Sequence, residues 1–414
     1  MDQPPAPCVL RALCWRAVHQ DVIRFASCDR PEAVTILPAC SLCNAPITAA
    51  IDSNDHLIPN SIGGRKKVKG FLCTKCNSDS GNQWDADLAK QLNSLSLLFG
   101  IKRDRGDVPS QVVRTTGGDE LLLHANGSMT PSKPEYREEV VGAGVQINIK
   151  ARSVSEAKQM LTGVKKKYPQ IDLDELLHTA TTESSYPKDM LHFSLSFGGQ
   201  KAGRSVVKSA LALAVQSGVS PEDCKNALNY LTNEKAEACF GYYYERDLVR
   251  NRPDNIVFHC VAVEGSSETG LLLGYVEYYG VQRMVLCLSD SYTGKPFRSG
   301  YAIDPISGKE LTLDIDLSLQ IEDVAAAYRY EKIPDGAVEA AFAKVLPIGL
   351  KYSYEREKDR VLQEAVAYAF ANCGASEGEI LTAEHMSKIS ALIMQKLEPF
   401  LIHQFTESRG KRNV

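Results

Sequence analysis

Two cysteine pairs limit what this chain can fold into more than any other feature. Cys40-Ser-Leu-Cys43 and Cys73-Thr-Lys-Cys76 stand 29 residues apart. A C-x-x-C turn presents two sulfurs on one side of a knuckle, and two knuckles supply the four thiolates of a tetrahedral zinc site. Four sulfur ligands leave no open coordination position, so this zinc is expected to be structural and not catalytic. The other eight cysteines are scattered singly along the chain, as buried reduced thiols are. Paired knuckles in such a background read as metal ligands before disulfides.

The span between the pairs is longer than the roughly 15–20 residues of a plain zinc ribbon. The inserted loop therefore needs a task of its own. It contains Asp55-His56-Leu57-Ile58-Pro59-Asn60, then Gly63-Gly64, and Asn77 follows directly on Cys76. Successive side chains on an extended segment point to opposite faces, so one of Asp55 and His56 can hold a metal while the other faces a substrate. Asn77, at the start of an expected helix, offers a neutral amide oxygen to a hard cation. A hard divalent ion, an acid and amide to hold it, and a neutral imidazole to take a proton from water are what hydrolysis of a phosphodiester requires. Arg65, Lys66, Lys67 and Lys69 add four positive charges in five residues beside these groups and are read as phosphate contacts. The net charge of the whole chain is −4, so a nucleic-acid site has to be a local patch of this kind. Asp85, next to Trp84, is expected at the start of a packing helix with a surface role.

At these residues the sequence resembles the HNH endonuclease family, in the subgroup patterned C-x-x-C…(D/E)-H-x-x-P-x-x-x-G-G…C-x-x-C-N-x-x-x-G. Cys40, Cys43, Asp55, His56, Pro59, Gly63, Gly64, Cys73, Cys76, Asn77 and Gly81 stand at the matching positions. The resemblance covers about residues 38 to 95. It implies a ββα-metal fold, with Asp55-His56 ending the first strand, a second strand near Phe71-Leu72, and a helix carrying Asn77. It implies His56 as general base and Asp55 and Asn77 as ligands of a catalytic Mg²⁺ or Mn²⁺, beside a Zn²⁺ held by Cys40, Cys43, Cys73 and Cys76. The substrate implied is DNA, with RNA not excluded, and restriction or phage defence is how the family is commonly used. Many members carry a middle Asn before the second cysteine pair, whereas this chain reads Lys69-Gly70-Phe71 there. Asn60 is a candidate to brace the histidine instead. The alternative is a zinc-stabilised nucleic-acid-binding or assembly module with a degenerate centre.

The rest of the chain carries no comparable motif. The fold class expected is α+β: a small N-terminal zinc-stapled ββα-metal domain over residues 38–100, after a lead-in over 1–37, and a larger mixed region over 101–414. That region is given a recognition or regulatory role, which extends to a homodimer as one partner. Gly100 to Arg114 reads as a linker or surface loop. Strands are expected at 145–149, 191–197, 256–263, 271–279, 283–288 and 311–319, with a turn at Tyr279-Gly280. Helices are expected at 155–168 and 205–217, and from a sub-boundary near 320 the pattern is helical: 321–330, 337–345, 354–371 and 382–405. His192 and His259 fall in strand-like runs and read as core histidines. No stretch reaches the roughly 18 apolar residues of a membrane span, and Arg11 and Arg16 interrupt any signal-like run, so a cytoplasmic protein is expected.

Overall fold

The computed structural model describes residues 38–410 apart from 143, 179, 182, 183, 188 and 194, so the expected lead-in over 1–37 lies outside the described residues. The segment between the cysteine pairs contains little regular structure. β1 (Asp55–His56) pairs antiparallel with β2 (Lys67–Val68), with Asp55 opposite Val68 and His56 opposite Lys67. The second strand thus precedes Phe71 and Leu72, which are fully buried outside any strand and act as core, not as ladder. Between the strands lies one 3₁₀ turn over Asn60–Ile62. Gly63 closes it at φ +101°, a left-handed value that a side chain rarely tolerates. A Cβ on Gly64 would collide with the Ile58 carbonyl. The Gly-Gly pair is therefore a steric requirement of the turn.

Helical structure then runs almost unbroken from Cys73. α1 (Thr74–Ser80) carries Asn77 and passes through a π-helical turn at Gly81–Asp85 into α2 (Ala86–Gln91) and α3 (Asn93–Phe99). The helical pattern therefore begins ten residues before Trp84. Gly100 ends α3 in the left-handed region.

A four-stranded sheet of order β5-β4-β3-β8 comes next, built from β3 (Gln111–Thr115), β4 (Glu120–Leu123), β5 (Met129–Pro131) and, later in the chain, β8. A separate hairpin joins β6 (Glu135–Val141) to β7 (Gly144–Lys150), and α4 (Val154–Lys167) and α5 (Leu173–His178) follow. β8 is only Leu191–His192, and His192 is exposed, contrary to its expected core place.

The large sheet has the order β14-β13-β10-β11-β12-β9. α6 (Gln200–Gln216) and α7 (Lys225–Thr232) precede its strands β9 (Phe240–Tyr242), β10 (His259–Ser266), β11 (Leu271–Tyr278), β12 (Gln282–Ser289), β13 (Phe297–Ile303) and β14 (Glu310–Leu311). Every residue of β11 and β12 is buried. Alternation divides the strands between two cores. Val261, Val263, Val276, Leu286 and Leu288 face the core that includes α6, whereas Cys260, Ala262, Tyr275, Val285 and Cys287 face one closed by α8 (Ile321–Tyr328). The expected strand over 311–319 is mostly not one. Ile315, Leu317 and Leu319 are buried in the second core at a period of two, but only Glu310 and Leu311 pair with β13.

Two long helices complete the chain, α9 (Ala337–Asn372) and α10 (Ala383–Gly410). The helices expected at 337–345 and 354–371 are one, with Pro347 inside it. A proline there forfeits one backbone bond, but packing holds the helix together, since Gly349 is small enough to seat Leu98 and Phe99 of α3. The α6-side core is continuous with the zinc loop: Leu57, Ile58, Ile62, Phe71, Leu88 and Phe99 belong to the same apolar cluster as Val206, Ala210, Val276 and Val345.

Candidate functional site

The four sulfurs of Cys40, Cys43, Cys73 and Cys76 lie within 4.8 Å of one another. A tetrahedron of zinc–sulfur bonds of ~2.3 Å places its sulfurs ~3.8 Å apart, and Cys43 Sγ and Cys73 Sγ are 3.8 Å apart. The knuckles are preformed. The Cys73 N–H donates to Cys40 Sγ, and Cys73, which caps α1, accepts from the Cys76 N–H. Burial works against ionisation of Cys40, but the backbone N–H groups of Cys73, Leu42 and Cys43 outweigh it and bring the thiol down to about 7. Cys76 is pushed far up by burial and by its sulfur neighbours. A divalent cation would take the charge of four thiolates gathered this closely.

Asp55, His56 and Asn77 line one cavity of about 800 Å³, together with Asn60, Ser61, Asp85, Lys90 and Arg103. Asp55 is 4% exposed. Its carboxylate meets Lys208 of α6, whose ammonium donates to Oδ1 at 3.3 Å. Lys208 also contacts Asp85 Oδ2 at 2.7 Å, and Ser205 one turn earlier donates to Asp85 Oδ1. Burial alone would discharge Lys208, but the two carboxylates raise its pKa and keep it an ammonium. Burial raises the Asp55 carboxyl, with Lys208 opposing. Asp85, expected at the surface, is thus one of three charges in a largely buried cluster with Lys208 and Asp55.

Asp55 Oδ2 lies 3.3 Å from the Lys208 nitrogen but accepts no hydrogen bond there, and it is buried. Asp55 and Asn77 line the same cavity, and a carboxylate with one oxygen unsatisfied by hydrogen bonds plus a neutral amide are oxygen ligands of the kind a hard divalent ion takes. Among the described residues the four cysteines are the one tight cluster of three or more His, Cys, Asp or Glu ligands, so Asp55 and Asn77 would leave most positions around such an ion to water and phosphate.

His56 is half-buried, and burial lowers its pKa against the pull of its hydrogen bond to Asp104. A ring that is neutral at pH 7 can accept a proton. Asp104 lies in the stretch read as a linker. Its Oδ2 is 3.2 Å from His56 Nε2 and 3.3 Å from Lys67 Nζ, and its Oδ1 accepts from Arg65 at 3.0 Å. Asn60 does not reach His56. Its Oδ1 accepts from the Asp104 N–H and its Nδ2 donates to the Gly64 carbonyl.

The basic run is dispersed. Arg65 and Lys67 are paired with Asp104, Lys66 lies 5.0 Å over the Tyr301 ring, and Lys69 is exposed. None of the four lines the cavity, whose basic residues are Lys90 and Arg103.

Residues 40–93 match the HNH endonuclease family model. The four-cysteine cluster fits the zinc subgroup of that family. No curated protein and no solved structure matches the chain. An HNH domain acts on nucleic acid as a nuclease, and the matched segment holds Asp55, His56, Asn77, Asp85 and all four cysteines. Lys208 and Asp104, which contact that set, lie beyond it. Among the described residues no helix is long and apolar enough to cross a membrane.

Proposed function

We propose that this chain is a metal-dependent HNH-type endonuclease that hydrolyses DNA phosphodiester bonds, in restriction or phage defence within the cytoplasm. The observation that carries the reading is that Asp55, His56 and Asn77 line one cavity, in a segment whose ends carry the four clustered sulfurs. Residues 38–100 form the nuclease part, and residues 101–414 serve recognition or regulation.

His56 takes a proton from water, and the resulting hydroxide attacks phosphorus. The bond from phosphorus to the leaving oxygen breaks, and that oxygen is protonated from solvent. Asp55 and Asn77 would hold a Mg²⁺ or Mn²⁺, which when bound neutralises charge on the phosphate and the leaving oxygen. The zinc of Cys40, Cys43, Cys73 and Cys76 fixes the loop and takes no part in the reaction. Lys90 and Arg103, on the cavity wall, are placed to meet phosphate charge.

Plasmid nicking with Mg²⁺ or Mn²⁺ tests this. A general base contributes roughly 10²–10⁴-fold to rate, so His56→Ala should lose activity on that scale. Equal nicking by both proteins rejects the assignment, and digestion of RNA in preference to DNA corrects the substrate.

A further inference from the structure

We propose that Asp104 is the positioning residue of His56, doing from outside the HNH motif what a middle Asn does within it. The inference rests on the nuclease reading and deepens it. An ionised carboxylate accepts and cannot donate, so its contact with Nε2 requires the proton of the neutral ring to be on Nε2. The lone pair is then on Nδ1, and that nitrogen is the one that takes the proton from water. Asp104 stays ionised because Lys67 and His56 outweigh its desolvation.

The geometry favours a brace over a displaceable plug. Asp104 does not line the cavity that His56 lines. Its own segment is stitched to the zinc loop at four points: Asp104 N–H to Asn60 Oδ1 at 2.9 Å, Arg65 to the Lys102 carbonyl at 3.0 Å, Arg65 to Asp104 Oδ1 at 3.0 Å, and Arg103 to the Ser61 carbonyl at 3.1 Å. One of these bonds uses the Asp104 backbone, so a side-chain substitution leaves it intact. Asn60, the residue that could have braced the ring, instead holds the brace.

Two measurements on the full-length protein decide the matter. Long-range ¹H–¹⁵N spectra of histidine-labelled protein at pH 8 should show His56 as the Nε2–H tautomer in wild type and a mixture in Asp104→Ala. An Nδ1–H tautomer in wild type, or no change in the variant, overturns the proposal. Single-turnover cleavage of a labelled DNA duplex with Mn²⁺ should be 10–100-fold slower in Asp104→Ala, with the DNA dissociation constant unchanged or tighter because Arg65 and Lys67 are released. Asp104→Asn should recover most of the rate, since its amide oxygen still accepts from Nε2–H. In a His56→Ala background Asp104→Ala should cost nothing more. An additive loss makes Asp104 merely structural, and a faster Asp104→Ala makes it a plug. If wild type fails to cleave, the nuclease reading falls, and the tautomer still decides the role of Asp104.

Discussion

β1 and β2 are two residues long, whereas β11 and β12 are eight residues long and buried from end to end. The sheet is held by what any large sheet has, alternating apolar side chains that fill a core on each face. The zinc loop has too few ladder bonds to hold a shape by that means. Its geometry comes from a few apolar anchors, Leu57, Ile58, Ile62 and Phe71, sunk into the α6-side core, and from point contacts: four sulfurs, the Lys208 ion pairs, the Asp104 brace, and a hydrogen bond from His259 to the Ile62 carbonyl. The difference explains why Asp55 and His56, on the loop, line a cavity. Point contacts leave polar atoms aimed at a cavity, whereas a packed sheet would have to bury them.

The comparison breaks most clearly at the sulfurs. Structural zinc binds with an apparent free energy of roughly 10–16 kcal/mol at pH 7 in small zinc peptides, which is more than the stability of most domains. Removing it with a chelator should expose the amides of 40–76 to rapid hydrogen exchange while β10, β11 and β12 stay protected. Loss of protection in those strands at the same chelator concentration would mean that the sheet leans on the loop as much as the loop leans on the sheet.

What the sequence made legible follows the same division. Cys40, Cys43, Asp55, His56, Cys73, Cys76 and Asn77 could be read together because local chemistry requires them at short, fixed spacings. The sheet strands could be read from continuous apolar runs, and the strand over 311–319 was over-read because alternation reports burial more than pairing: past Leu311 the chain makes only an isolated bridge, Ile315 to Val249. Asp104 and Lys208 could not be placed, since each reaches the site through a tertiary contact that no spacing encodes. Lys208 did leave a trace. It stands in a helix that buries Ala202 through Ala214 on every face, on one stripe with Arg204, Ser205 and Ser209, and a charge buried there needs a partner of opposite charge elsewhere. Asp104 left none, because one more acid in a charged surface stretch looks like solvated loop.

Lys208 is the next place to press. It joins α6, a helix of the sheet, to Asp55 of the loop and Asp85 of the π-helical turn after α1, and all three side chains are largely removed from water. Replacing one partner of such a cluster strands the others as uncompensated buried charges, at a cost of about 3–5 kcal/mol. Lys208→Met keeps the length and removes the charge, so urea denaturation should show a loss on that scale. A loss under 1 kcal/mol would show that the carboxylates are wetter than their burial implies, and that α6 packs on the loop without holding it.

The smallest effect lies at the joint between the two regions. His259, fully buried on β10, donates from Nε2 to the Ile62 carbonyl at 2.8 Å and accepts at Nδ1 from the Tyr279 N–H at 2.9 Å. Both ring nitrogens are used, and protonation of Nδ1 would set two donors against each other. Burial lowers its pKa to about 4 from an ordinary 6.5, against the opposing pull of the Ile62 carbonyl. The unfolded chain therefore binds a proton that the folded one refuses. The stability from this site is complete above pH 6.5 and is lost as pH falls toward 4. At about 1.4 kcal/mol per pH unit the loss by pH 5 is roughly 2 kcal/mol. His259→Gln should be less stable at pH 7.5 but should lose about that much less than wild type on going to pH 5, measured by urea denaturation. Parallel losses in the two proteins would move the acid sensitivity to other groups. A smaller loss in the variant, with Ile62 and Tyr279 amides exchanging together in wild type at pH 5, would show that the loop and the sheet, built by different means, come apart at one imidazole.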